Sequence, residues 1–427
     1  MVGFRCHGCG AKVDAGLQLA FRCPNDRVGG DDIDHVLVVD SEAVSPSIGS
    51  ETDPFLRYRA WLSPYRLARE AGLPDTAWID LVGQLDHALT AVDGHGFRVT
   101  PMAERPALAE AIGLLGPLFV KDETGNVSGS HKARHLMGVM LYLRVLEAAR
   151  LPAGETLRSR RLAIASCGNA ALAAAVVARA ADWPLDVFIP PDADASVRTR
   201  LGELGAQITI CERRPGETGD PCYLRFREAV AAGAIPFGVQ GTDNGLAIEG
   251  GRTLAFEMAE EFHRIGTVPD ALFVQVGGGA LASALAQGLA LARANGLLSS
   301  LPRLIAVQTA GCAPLARAWE RLGGIDLAVA AKTRSRFMWP WETTPASLAH
   351  GILDDETYDW WAIAEGLRAS GGSTVVVDET QVAAAHRAGR MHTDIAASAT
   401  GTAGLAGVIA KPEAGKRIAV IFSGKER

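Results

Sequence analysis

The chain has 427 residues, 48% of them hydrophobic and 21% charged, enough to bury a substantial core in two or three domains. Its 42 Lys and Arg against 48 Asp and Glu give a formal charge of −6 without long runs of either sign. That excludes a surface built to follow a nucleic-acid backbone or an anionic membrane and points to small-molecule partners.

No stretch offers ~18 consecutive apolar residues, the length of a membrane span. The amino-terminal residues also lack the basic, apolar, small-residue order of a secretory signal. Seven scattered cysteines, an odd number, fit a reducing compartment, so the expected location is the cytoplasm.

Residues 1–30 have the outline of a degenerate zinc ribbon: a Cys6-x-x-Cys9 knuckle, an apolar strand-like segment, and a second turn at Cys23. Four sulfur ligands would close a tetrahedral structural site, but Asp26 stands where a second C-x-x-C would end. Cys6, Cys9 and Cys23 are the candidate zinc ligands, and His7 and His35 are the other nearby candidates. A ribbon that keeps its turns by packing, without metal, is the alternative. Residues 31–97 read as an extension packed on the main body, with a strand at "HVLVVD" and a helical or turn-rich stretch at "DPFLRYRAWLSPYRLAREAGLP".

From about residue 98 short apolar runs alternate with alanine-rich helical segments. "PLFVKDE", "RLAIASC", "LDVFIPP", "AQITICE", "ALFVQVGGG", "RLIAVQT", "STVVVDE" and "RIAVIFSG" are bounded by Gly, Pro or charge, as strands buried on both faces should be. Segments such as "KARHLMGVMLYLRVLEAAR", "GNAALAAAVVARAA" and "IEGGRTLAFEMAEEFHRIG" separate them as helices. Such alternation predicts parallel sheets covered by helices on both faces.

In doubly wound folds a ligand sits beyond the carboxyl ends of the strands. Four loops there carry polar or glycine signals: "KDETGNVSGSHK" at 121–132, "SCGN" at 166–169, "GGGA" at 277–280, and Ser423 after the last strand. A glycine-rich turn that opens a helix presents free N–H groups and suits a phosphate. The G-x-G-x-x-G dinucleotide spacing and the G-K-[ST] of a Walker loop are both absent. Judged alone, Lys132 is an ordinary lysine at a helix start.

In combination the four motifs, in this order, resemble the fold-type II pyridoxal-phosphate enzymes, the tryptophan synthase β-like superfamily that includes threonine synthase, serine/threonine dehydratase and cysteine synthase. The resemblance spans roughly residues 98–427, and "IEGGRTLAFE" at 248–257 is similar to a stretch of threonine synthases. It implies an α/β architecture: two doubly wound parallel-sheet domains with the cofactor between them, beside the small zinc-ribbon-like module. Residues 130–236 would form the smaller domain, and 98–129 with 237–427 the larger one. A homodimer is the expected assembly.

By the same resemblance, Lys132 would be the Schiff-base lysine and proton acceptor, with His131 near the phosphate and Asn169 on the 3-oxygen of the pyridoxal phosphate ring. Gly277, Gly278, Gly279 and Ala280 would hold the phosphate, and Ser423 would face the ring nitrogen. Ser130, Ser166 and Gly168 would line the substrate carboxylate site, with Ser128 nearby. A hydroxyl opposite the nitrogen leaves the ring largely unprotonated, which favours expulsion of a leaving group over transamination or decarboxylation.

The implied activity is that of a lyase acting on a small L-amino acid, eliminating a β or γ substituent. A β-replacement synthase and a pyridoxal-phosphate-binding protein without turnover are the alternatives. Arg198 either touches an anionic substrate group or faces solvent, and Phe337, Trp339 and Trp341 line the substrate mouth, form an oligomer contact or pack in the core. His131, and Ala133 where threonine synthases carry aspartate, mark a relative rather than a standard threonine synthase.

Overall fold

The computed structural model describes residues 2–26, 31–40, 47–217 and 219–427, so the expected module boundary at residue 30 lies outside the described residues. The amino-terminal module is a three-stranded antiparallel sheet of order β2-β1-β3, built from β1 (Gly3–Cys6), β2 (Lys12–Asp14) and β3 (Leu37–Val39). Its alternating pattern buries Phe4, Cys6 and Val13 in a core shared with the main body. Tyr142 ties it down further, its hydroxyl donating to Ala15 O at 2.8 Å.

The main body holds two sheets. β4 (Met102–Glu104) and β5 (Leu118–Asp122) belong to a six-stranded sheet. The chain then builds a four-stranded sheet from β6 (Leu162–Ala165), β7 (Leu185–Ile189), β8 (Gln207–Ile210) and β9 (Ile235–Pro236). It returns to the first sheet with β10 (Ala271–Gln275), β11 (Arg303–Thr309), β12 (Ser373–Val377) and β13 (Ile418–Phe422). The orders are β12-β11-β10-β13-β5-β4 and β8-β7-β6-β9, and every pairing is parallel except β4 with β5.

Central strands β10 and β13 are buried at every position, as their continuous apolar runs require. The same expectation fails for β8 and β12, whose residues are mostly part-exposed. Both are edge strands with one unpaired side, so burial there is decided by place in the sheet rather than by composition. The 31–97 stretch is more regular than its sequence promised. It contains a 19-residue helix, α1 (Asp75–Asp93), anchored by the buried Trp78, whose Nε1 donates to Phe55 O at 3.1 Å.

Two helices set the frame of the site. α2 (Lys132–Ala148) is buried nearly all round, as a helix enclosed by other elements must be. It crosses α4 (Ala247–Arg264) so closely that a Cβ on Gly138 would lie 2.7 Å from Gly250 Cα, so glycine at that crossing is a packing requirement. α3 (Asn169–Ala180), α5 (Ala280–Ala294) and α6 (Trp360–Ser370) complete the set used below.

Candidate active site

Three adjacent central strands, β10, β13 and β5, run parallel and end together. The loop after β10 holds Gly277–Gly279, β13 is followed by Ser423, and the loop after β5 leads to Lys132. β6 of the other sheet contributes Ser166, Cys167, Gly168 and Asn169. Strand order brings the first three loops together, and the contact of Asn169 with Gly424 brings the fourth to them.

The loop that delivers Lys132 is a constrained one. Ser128 has φ +57° and Gly129 φ +68°, and a non-glycine residue in the left-handed region persists only where its surroundings hold it. Asp93, the last residue of α1, does so by accepting the Ser128 N–H at 2.6 Å. Ser130 then bridges to Gly424, and the His131 N–H donates to Ser423 O at 3.1 Å, docking the start of α2 on the end of β13.

Three side chains of the 121–132 motif, Lys121, Glu123 and Asn126, are taken up in a buried charge network. Arg134, fully buried, clamps Glu123 with Nε at 2.8 Å and Nη2 at 2.9 Å, and reaches Glu257 with Nη1 at 2.6 Å. Lys121 Nζ lies 2.6 Å from the other Glu257 oxygen, and Asn126 Nδ2 donates to Glu123 at 2.8 Å. Two cations face two carboxylates, and burial, which pushes the Glu257 carboxyl up, is more than offset by Arg134 and Lys121. This neutral buried network fixes the first turn of α2, and hence Lys132, to β5 and α4.

The Lys132 amine makes no hydrogen bond or ion pair with the described residues. Burial drives its ammonium below the usual lysine range, against the opposing pull of the Asp354 and Asp359 carboxylates. Burial and the Lys132 charge also hold His131 well below the ordinary histidine value, and His135 down to about 3. Both rings are thus neutral. Each places Nδ1 on a carbonyl, Ser423 O at 3.1 Å and Ala247 O at 2.8 Å, so the proton sits on Nδ1. The buried Nε2 of His131 is left as an acceptor without a partner among the described residues.

The glycine loop already holds a carboxyl group. Gly278 N–H donates to Asp354 Oδ2 at 2.8 Å, and Thr357 Oγ1 donates to Gly277 O at 3.0 Å. Asp359 N–H donates to Gly278 O at 3.1 Å. Gly279, at φ +102°, turns the chain into α5, whose amino terminus at Ala280 opens toward the loop. Burial raises the Asp354 carboxyl pKa and lifts that of Asp359 to about 7. The Gly277–Ala280 loop thus meets Lys132 through the electrostatic reach of these two aspartates, neither of which the sequence reading singled out. The run "LDDETYD" after an apolar segment was the available signal.

On the opposite side Asn169, the first residue of α3, lies against Gly424: a Cβ there would be 3.0 Å from Asn169 Nδ2. Ser423 Oγ accepts from Gln275 Nε2 at 2.7 Å, which leaves its own proton free to donate. Ser130 Oγ and Ser128 Oγ are buried without partners among the described residues. Ser166 Oγ accepts the Gly168 N–H at 3.4 Å, while Cys167 is exposed.

Residues farther out separate from the cluster. Arg198 is half-buried and its guanidinium makes no hydrogen bond among the described residues. Phe337 is buried against Trp360, at 5.9 Å between ring centroids. Trp339 is covered by Arg317, 3.7 Å from its centroid, and by Arg321 at 4.5 Å, and Trp341 lies 5.2 Å from Arg317. At the amino terminus Cys6, Cys9 and Cys23 cluster with His35 rather than with Asp26, which pairs with Arg22.

Residues 95–424 match the family model described as "Pyridoxal-phosphate dependent enzyme". A mouse serine dehydratase-like protein is 31% identical over 193 residues, 45% of this chain and 52% of the relative. Synechocystis threonine synthase is 30% identical over 217 residues, 50% of this chain and 51% of the relative. The chain thus spans about half the length of these curated relatives. Among solved structures, maize serine racemase superposes with a TM-score of 0.59 at 20% identity, covering 80% of this chain and 92% of that one. No helix among the described residues is long and apolar enough to cross a membrane. With two largely parallel sheets, a glycine loop opening a helix and the half-buried Lys132 near that loop, the chain belongs to the pyridoxal-phosphate-dependent enzyme family, with the fold of its fold-type II members.

Proposed function

We propose that this protein is a pyridoxal-phosphate-dependent lyase that removes the α-proton of a small L-amino acid and eliminates a β or γ substituent, in the manner of threonine synthase and threonine dehydratase. The observation that carries the reading is Lys132: a partnerless amine, its proton affinity lowered by burial, at the meeting point of four strand-end loops.

The residues present fit the cofactor. The Gly278 N–H already holds a carboxylate oxygen of Asp354, which stands in for one oxygen of an anion. The hydroxyls of Ser128 and Ser130 and the acceptor nitrogen of His131 are buried polar atoms without partners among the described residues. Lys132 would hold the cofactor through Nζ, and the N–H groups of Gly277, Gly278, Gly279 and Ala280 would take the phosphate, with Asp354 giving way. His131 would lie near the phosphate, and Asn169 would take the 3-oxygen.

Bound pyridoxal phosphate supplies an electron sink that acidifies the Cα–H bond of an amino acid. Lys132 Nζ accepts that proton. Ser130, Ser166 and Gly168 receive the substrate carboxylate. Ser423, its oxygen engaged by Gln275, offers a neutral hydroxyl to the ring nitrogen and so favours loss of a leaving group. The serine dehydratase-like and threonine synthase relatives agree with this choice.

The proposal includes the division into a smaller domain at 130–236 and a larger one at 98–129 with 237–427, a homodimeric assembly, and a cytoplasmic location consistent with seven free thiols. The test is a spectral and product screen of purified protein with amino acids bearing β or γ leaving groups. Keto acid and ammonia, or loss of the γ substituent with water added at the β carbon, support the lyase. A new amino acid formed only with an added thiol, amine or indole would replace it by a synthase. Lys132→Ala should abolish both the visible absorption of the lysine-bound cofactor and turnover; normal absorption in that variant would refute the assignment.

A further inference from the structure

Cys6 Sγ, Cys9 Sγ, Cys23 Sγ and a ring nitrogen of His35 all lie within 4.8 Å of one another. Cys9 Sγ is 3.5 Å from Cys23 Sγ, and Cys6 Sγ is 3.6 Å from His35 Nδ1. With zinc–sulfur bonds of ~2.3 Å and zinc–nitrogen bonds of ~2.0 Å, a tetrahedron has S···S edges of about 3.8 Å and S···N edges of about 3.5 Å. These two spacings match the corresponding edges to within about 0.3 Å, and the remaining pairs lie within 4.8 Å.

The surroundings are arranged for the same purpose. Asp31 Oδ1 lies 3.2 Å from His35 Nε2, so that nitrogen carries the proton and Nδ1 presents its lone pair toward the sulfurs. Asn25 directs N–H groups at the sulfurs, its backbone to Cys23 at 3.4 Å and its side chain to Cys9 at 3.5 Å. Asp26, at the position of a missing fourth cysteine, is engaged by Arg22.

The fourth ligand also joins the module to the site. Beside His35, the buried Asp34 accepts from His7 Nε2 at 3.1 Å and pairs with Arg334 Nε at 3.3 Å. Asp32 accepts from Ser335 N at 2.7 Å and from Ser335 Oγ at 2.8 Å, and its carbonyl accepts from Arg334 N at 2.8 Å. Arg334 pairs in turn with Glu356. His7, next to Cys6, stacks on Trp361 with centroids 4.2 Å apart. Glu356 and Trp361 bracket Thr357 and Asp359, which bond the glycine loop at Gly277 and Gly278.

The geometry points to a closed structural zinc site of Cys6, Cys9, Cys23 and His35 that tethers residues 354–361 over the glycine loop. Three thiolates and an imidazole leave no open coordination position, so the metal acts by holding chain segments together rather than by reacting. It cross-links segments 6–9, 23 and 35, and the 31–37 stretch passes that constraint to Arg334 and Glu356.

The test uses the full chain. Purified protein should contain one equivalent of zinc by elemental analysis, and cobalt(II) in its place should give the strong visible absorption of a tetrahedral sulfur-rich site. His35→Ala should lose the metal, and His35→Cys should keep it with an altered cobalt spectrum. Asp31→Ala should weaken affinity about 10- to 100-fold. Chelating the zinc should speed hydrogen exchange across 354–361, and Arg334→Ala should do the same with zinc retained. No bound metal after zinc-supplemented purification overturns the site, and an unchanged cobalt spectrum in the His35 variants overturns the ligand set. Unchanged exchange at 354–361 after chelation overturns the tether. None of these readouts involves pyridoxal phosphate, so their failure is distinct from failure of the proposed lyase activity.

Discussion

Replacing Arg134 by methionine tests whether the buried charge network is what places Lys132. The guanidinium gives two hydrogen bonds to Glu123 and one to Glu257, and also reaches Thr253 Oγ1 at 3.1 Å and Thr100 Oγ1 at 3.2 Å. Methionine fills similar volume but leaves Lys121 as the one cation facing two carboxylates in the cluster. Removing one partner of a buried ion pair costs about 3–5 kcal/mol, mostly the expense of an uncompensated charge. At about 1.4 kcal/mol per tenfold, that lowers the folding equilibrium constant by two to four orders of magnitude, to the nearest order.

Urea unfolding followed by circular dichroism measures the loss, and the visible absorption of the bound cofactor reports whether the α2 amino terminus stays in place. Adding Glu123→Gln to Arg134→Met should recover a large part of the stability, because the network is then neutral again. A single variant within about 1 kcal/mol of wild type, or a double variant no better than the single, would refute the reasoning.

Two further perturbations follow from the electrostatics. Asp53 is buried, its side chain accepts the Phe55 N–H, and burial together with the Asp86 charge raises its pKa from 3.8 to about 7. A carboxyl raised in the fold leaves stability intact below pH 3.8 and removes it as pH climbs to about 7. Asp53→Asn, which keeps the capping oxygen, should therefore unfold at higher urea than wild type at pH 8 and show much less advantage at pH 4; equal gains at both would contradict this. Ser423→Asp should retain the Gln275 contact while adding a charge opposite the ring nitrogen. Elimination should fall at least about tenfold, 1.4 kcal/mol in barrier, with long-wavelength absorption building up during turnover. An unchanged spectrum and rate would place Ser423 away from the ring.

The strands were legible because a strand buried on both faces is a local signal: "LAIA", "LDVFI", "ALFVQ" and "IAVIF" need no partner to be recognised. The helix starts after "SCGN" and "GGGA" were legible for the same reason. α1 carries a helical-period stripe of its own, Trp78, Val82, Leu85 and Leu89, but that stripe does not tell which loop its last residue, Asp93, holds.

What the sequence determined by itself was the alternation of elements and the residue types at strand ends, because backbone preference and hydrophobic period act over a few neighbouring residues. Only tertiary structure decided which of those ends meet. Asp93 holds Ser128 across 35 positions, Asp354 reaches Gly278 across 76, and Glu257 neutralises Arg134 across 123. It likewise decided that His35, not Asp26, joins the three cysteines. Such pairings are set by the crossing of helices and the order of strands, which bring charges together in a low-dielectric interior where the match of partners, not their spacing in the chain, determines the energy.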